Sequence, residues 1–228
     1  MHSTLRVTAL AALTTLTLSA ALTAQAHTTI QVAAAEGTTT YNNLVIGHGC
    51  AGANGTSMPV IAQSVVFPTV NPKTTITGTF AGNPQAVGVT SLAGVPQLIQ
   101  SRDIFSVQRE KTNASGAVIG FEGSGGSLAP TLHGLVPFRT AGITFPADSC
   151  ATRLVIQIAV ADICVRNGSK NLWIPSLTAK YTDPTVDGIG SPANLTVNRD
   201  LTKNPLAAAC GAGYTLTVTP SAEDVDAN

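Results

Sequence analysis

The chain has 228 residues, 44% of them hydrophobic, which is enough to bury a sizeable core. Lys plus Arg and Asp plus Glu each number 12, and only 11% of residues are charged, against about 25% in an ordinary soluble domain. That balance excludes a nucleic-acid partner, because phosphate binding needs a clustered basic face that releases counterions.

Residues 1–26 contain one early cation, Arg6, then an Ala, Leu and Thr run that ends in Ala24-Gln25-Ala26. This is the pattern of an export signal cleaved after Ala26, leaving His27 as the first residue. Thr14, Thr15, Thr17 and Ser19 dilute the run below the roughly 20 strongly apolar residues that a membrane anchor requires. No later stretch is long enough to cross a bilayer, so residues 27–228 are expected as one exported domain, in the periplasm or at the outer cell surface.

Aromatic residues make up 4% of the chain. Thr, Val, Ala and Gly dominate, a supply suited to short half-buried strands. Such runs occur at Tyr41–Ile46, Gln63–Phe67, Thr74–Phe80, Ile104–Val107 and Ala117–Phe121. They continue at Gly142–Phe145, Arg153–Val165, Leu172–Thr178, Asn194–Val197 and Tyr214–Thr219. Turn chemistry separates them at Asn71-Pro72, Asn83-Pro84, Gly123–Ser127 and Asp183-Pro184. Helical periodicity is not sustained anywhere. About ten strands therefore predict an all-β fold, an antiparallel β-sandwich of immunoglobulin-like type.

The run Arg153–Val165 is almost continuously apolar, so both of its faces should be covered, and it carries one interior acid, Asp162. A buried carboxylate needs a partner. Arg153, Arg166, backbone donors or a functional site are the candidates. The acidic tail Ser221–Asn228 reads as solvated.

Cys50, Cys150, Cys164 and Cys210 form an even set without C-x-x-C spacing. In an exported chain this predicts two disulfides in one of three pairings.

Three histidines lie beyond the export signal: His27, His48 and His133. At a new terminus His27 offers an α-amine and an imidazole from one residue, both able to deprotonate under mild conditions. That chelate suits copper, which heads the divalent affinity order and accepts nitrogen ligands. His48 stands in Gly47-His48-Gly49-Cys50, where glycines permit close approach and the cysteine staples the turn. His133 is followed by Gly134 between strand runs, within reach of the same site in a sandwich. Glu36 and Asp148 are candidate oxygen ligands. Trp173, the only tryptophan, is either core filler or a neighbour of the metal.

The opening Ala26-His27-Thr28-Thr29-Ile30, the segment Gly37–Gly47 and His48-Gly49-Cys50-Ala51-Gly52 resemble the YcnI-like family of secreted bacterial copper-binding proteins. Ile143-Thr144-Phe145-Pro146 with Cys150, and Ser191-Pro192-Ala193, are similar to later parts of that family. The resemblance implies copper held by His27 with a nearby acid and a tryptophan, here Trp173, with Asn42 standing where the acid is expected. It further implies Cys50 paired with Cys150 and Cys164 with Cys210. In broad character the chain is also similar to the methanotroph surface copper proteins CorA and MopE, which implies a site of two histidines and an oxidised tryptophan, with His48, His133 and Trp173 in those parts.

No G-x-S-x-G elbow, H-E-x-x-H zinc helix or phosphate loop is present, so no catalytic residue is assigned and the chain is not read as an enzyme. The expected function is capture, storage or delivery of copper through His27, His48 and His133, with a transport or redox protein as its partner. The competing expectations are a metal-free structural or adhesive sandwich and, behind it, a copper-dependent redox enzyme.

Overall fold

A computed structural model describes residues 27–52, 55–78 and 96–227. The expected export signal, the Asn83-Pro84 turn and positions 79–80 of the third strand run lie outside the described residues. The first strands are β1 (Thr29–Ile30), β2 (Ala34–Ala35), β3 (Thr40–Ile46), β4 (Cys50–Ala51) and β5 (Ser57–Met58). They are followed by β6 (Val60–Val66), β7 (Lys73–Thr77), β8 (Gln97–Leu98), β9 (Phe105–Thr112) and β10 (Val118–Leu128). The last are β11 (Gly134–Thr140), β12 (Ala151–Ile163), β13 (Lys170–Trp173), β14 (Ala193–Asn198) and β15 (Tyr214–Thr219), before a short helix α1 (Ala222–Asp226).

The fold is mostly β and sandwich-like. One sheet runs β1-β3-β11-β8; the larger runs β2-β14-β12-β6-β10-β9, with β13, β15 and β7 attached. Alternation along β3 sends Asn42, Leu44 and Ile46 inward, where Leu44 and Ile46 join Val136 and Phe138 of β11 against the larger sheet. Phe121 and Phe138 meet from opposite sheets across 6.4 Å, with Phe67 5.7 and 5.8 Å from them. Most pairings are antiparallel, but β12 with β15 and β14 with β2 are parallel.

β12 organises the larger sheet. Along one edge it pairs β14 through Arg153–Ile158 and β13 through Val160–Ile163. Along the other it pairs β15 and then β6. Its inward residues Leu154, Ile156, Ile158 and Val160 belong to the core between the sheets. On its outer side Ala159 joins a second cluster with Val66, Ile119, Leu172, Ile174 and Val225. The inner face is buried from Leu154 to Asp162, whereas the outer face is fully covered only at Ala159. Arg153 is exposed and Val155, Gln157, Ala161 and Ile163 are partly buried, so the expectation of two covered faces holds only in the middle of the strand.

Several expectations need correction. Gly142–Phe145 is not a strand, whereas Gly134–Thr140 is. Gly123–Ser127 is not a turn but part of β10. The tail is not simply solvated: Ser221 caps α1, its hydroxyl accepting from the Asp224 N–H at 3.0 Å, and Val225 is buried in the second cluster.

The disulfides are Cys50–Cys164 and Cys150–Cys210, which overturns the Cys50–Cys150 and Cys164–Cys210 pairing implied by the resemblance. The reason is the extension of β12. Cys150 immediately precedes the strand and Cys164 immediately follows it, so at about 3.3 Å per residue they stand roughly 45 Å apart. A disulfide needs Cα atoms within about 7 Å, so Cys50, held beside Cys164, cannot reach Cys150.

Candidate functional site

The C-terminal end of β12 places a polar row across the inner face of the sheet. Asp162 is registered opposite Gln63 of β6 and Asn171 of β13, and all three side chains are buried. The partners of Asp162 are neither Arg153 nor Arg166. Its Oδ2 accepts from the Thr28 hydroxyl at 2.6 Å and from the Trp173 indole N–H at 2.6 Å, while Oδ1 accepts from the Gln63 amide at 2.8 Å. Burial raises the Asp162 pKa above the ordinary carboxylate range; the Thr28, Gln63 and Trp173 hydrogen bonds and the charge of His48 oppose the rise. The Gln63 carbonyl oxygen is buried without a hydrogen-bond partner.

Trp173, 1% exposed, has two of the three histidines against it. The His27 ring lies 4.9 Å from the indole, tilted by 59°, and the His48 ring lies 5.8 Å away, edge-on at 85°. Thr28 explains the first placement, since its bond to Asp162 seats the residue next to His27. His48 is held by its own segment: Nδ1 bonds the Gly49 carbonyl, which also accepts from Asn171 at 3.4 Å. A carbonyl can only accept, so Nδ1 is the donor in this bond and Nε2 is the ring nitrogen left for another partner. Asp187 Oδ2 stands 4.0 Å from that Nε2. Cys50, two residues beyond His48, is fastened to Cys164, two beyond Asp162.

The loop after β13 closes over the indole at Gly188. Its φ of +100° and the 2.5 Å between a built Cβ and Trp173 Cε3 require glycine there. Asp187 is aligned beside it by its carbonyl, which accepts from the Leu172 N–H at 2.7 Å.

The other sequence candidates lie elsewhere. His133 is exposed in the turn between β10 and β11. Among the described residues no group of three or more His, Cys, Asp or Glu is gathered closely enough to hold a metal ion; the three histidines are not assembled as a triad. Glu36 is engaged structurally, accepting from the Phe145 N–H, the Asp200 N–H and the Asn204 amide at 2.7 to 2.8 Å. Asp148 is exposed in a loop. Asn42, at the position where the resemblance expects an acid, is buried and bonds both the N–H and the C=O of Val32.

Sequence reasoning missed Thr28, Gln63 and Asp187. The one available signal was an acid in an apolar strand, which demanded partners without naming them. Compared with known protein families, curated proteins and solved structures, the chain matches none.

Proposed function

We propose that this chain is an exported copper-binding protein in which His27 and His48 hold the ion beside Trp173. The observation that carries the reading is the placement of two imidazoles against one buried indole whose N–H is locked by Asp162.

The donor set fits copper. Imidazole nitrogens suit both of its common oxidation states, and an indole face favours a nearby cation. His48 contributes Nε2, and Asp187 supplies a neighbouring negative charge. Cleavage after Ala26 adds the α-amine of His27 as a third nitrogen. His133 stays a peripheral candidate in its exposed turn, and Trp173 lines the site. Two disulfides support residence in an oxidising compartment, and the similarity of the Ala26–Ile30 and His48–Gly52 segments to YcnI-like proteins favours the same reading. Acquisition, storage or delivery to a copper-transport or redox partner is the corresponding role.

The test titrates Cu(I) and Cu(II) into the processed protein, into a form with one extra residue ahead of His27, and into His48→Ala. The proposal expects stoichiometric binding, weakened about tenfold or more in both altered forms. Absence of binding to the processed protein, or binding unchanged in both forms, overturns it.

A further inference from the structure

On the outer face of the larger sheet, away from the inward-facing Asp162 row, a cleft of about 300 Å³ opens over the end of β12. Its floor is apolar: Ala161, Ile163 and Val165 alternate with the inward Asp162 and Cys164 and so point to the other face. Its walls are cationic. Lys170 is registered opposite Ile163 on β13, Lys111 reaches across from β9, and Lys180 arrives on the loop after β13.

The chain has 12 Lys and Arg in all, so three ammonium groups around one cleft are a marked concentration. Lys170 and Lys180 stand 5.8 and 5.5 Å from the centre of the Tyr181 ring. The Lys111 side chain is only 10% exposed and donates to Ser64 Oγ at 2.7 Å. Glu122 is the one carboxylate lining the cleft; it lies 3.9 Å from Lys111 and is also bonded by Arg109. Lys180 Nζ donates to the main-chain carbonyl of Asp226, while the Asp226 carboxylate accepts from the Lys180 N–H. The cleft itself therefore retains excess positive charge. Burial lowers the Lys111 pKa, Glu122 opposes the shift, and the charges of Lys180 and Arg109 add to it.

We propose that this cleft binds a small organic anion, a carboxylate head among Lys111, Lys170 and Lys180 with an apolar body on Ala161, Ile163 and Val165. Charge complementarity selects the head, and the apolar floor selects against compact inorganic anions. The site is separate from the histidines and needs no metal.

The experiment titrates hexanoate into the full metal-free protein, following the methyl resonances of Ala161, Ile163 and Val165 by NMR and the heat by calorimetry. The expected result is saturable one-to-one binding at those methyls, about tenfold tighter than hexanol or inorganic phosphate and weakened about tenfold in Lys180→Gln and in Lys170→Gln. Both variants remove the charge while keeping the first two methylenes and a polar end, and unchanged resonances elsewhere establish that they fold. No saturable hexanoate binding, hexanol or phosphate binding as tightly, or unaltered affinity in both variants overturns the proposal. Because no copper is present, that failure is distinct from failure of the copper reading.

Discussion

At the Asp162 carboxylate, donors from Thr28, Gln63 and Trp173 meet on two oxygens in a buried site. Removing the acceptor altogether leaves the indole N–H and the Gln63 amide buried and unpaired, so Asp162→Ala is expected to lower stability by about 3 kcal/mol in urea unfolding. Asp162→Asn differs. Its carbonyl can still accept from Trp173 and Thr28, and its NH2 can donate to the orphaned Gln63 oxygen after the Gln63 amide turns over. This variant is expected within about 1 kcal/mol of the parent or more stable than it at neutral pH.

The pH dependence has a definite sign. The folded pKa of Asp162 is raised, so its contribution to stability is fully present below the unfolded pKa and is lost as pH rises through the folded one. The stability of the parent relative to Asp162→Asn should therefore fall with rising pH; a rise would contradict the assignment. The acid was legible in the sequence as a charge inside an apolar strand. Thr28 and Gln63 were not, since they are 134 and 99 positions away along the chain and only the packing of sheets brings them together.

β12 carries a disulfide just beyond each end, and the two bonds should behave differently. Removing Cys50 and Cys164 together as alanines is expected to lower stability by about 2 to 5 kcal/mol and also to loosen His48, two residues from Cys50. Removing Cys150 and Cys210 should lower stability while leaving the environment of Trp173 intact. Denaturation followed by tryptophan fluorescence reads both effects.

A second element-scale test concerns β10. A Cβ at Gly123 would stand 2.5 Å from the Phe105 ring, so Gly123→Ala should cost about 1 to 3 kcal/mol by overpacking. The same contact explains why Gly123–Ser127 misled sequence reading: the glycines make room for an aromatic ring within a strand and do not mark a turn. β11 escaped notice because Pro137 and Gly134 argue against a strand. β12 was legible as a long run rich in Val, Ile, Leu and Ala, and β15 as the strict alternation of Tyr214, Leu216 and Val218 with threonines.

For the whole molecule, short Thr- and Val-rich runs were enough to predict a β-sandwich, since alternating burial has few other solutions. The parallel pairings of β15 on β12 and β2 on β14 were not readable, because strand order depends on connections that leave no periodic trace. The same holds for the site. His27, His48 and Trp173 were each conspicuous as residues in a chain poor in histidine and tryptophan, but their meeting depends on β3, β12 and β13 lying side by side or across the core. His133, equally conspicuous, lies in an exposed turn.

Because Trp173 is the only tryptophan and both rings lie against it, its fluorescence during a Cu(I) titration of the processed protein is the most direct measurement. Capture between His27 and His48 should quench the emission and saturate at one equivalent, with His48→Ala abolishing that endpoint. Emission unaltered by added copper, or quenching unchanged in the variant, would contradict the placement of the ion.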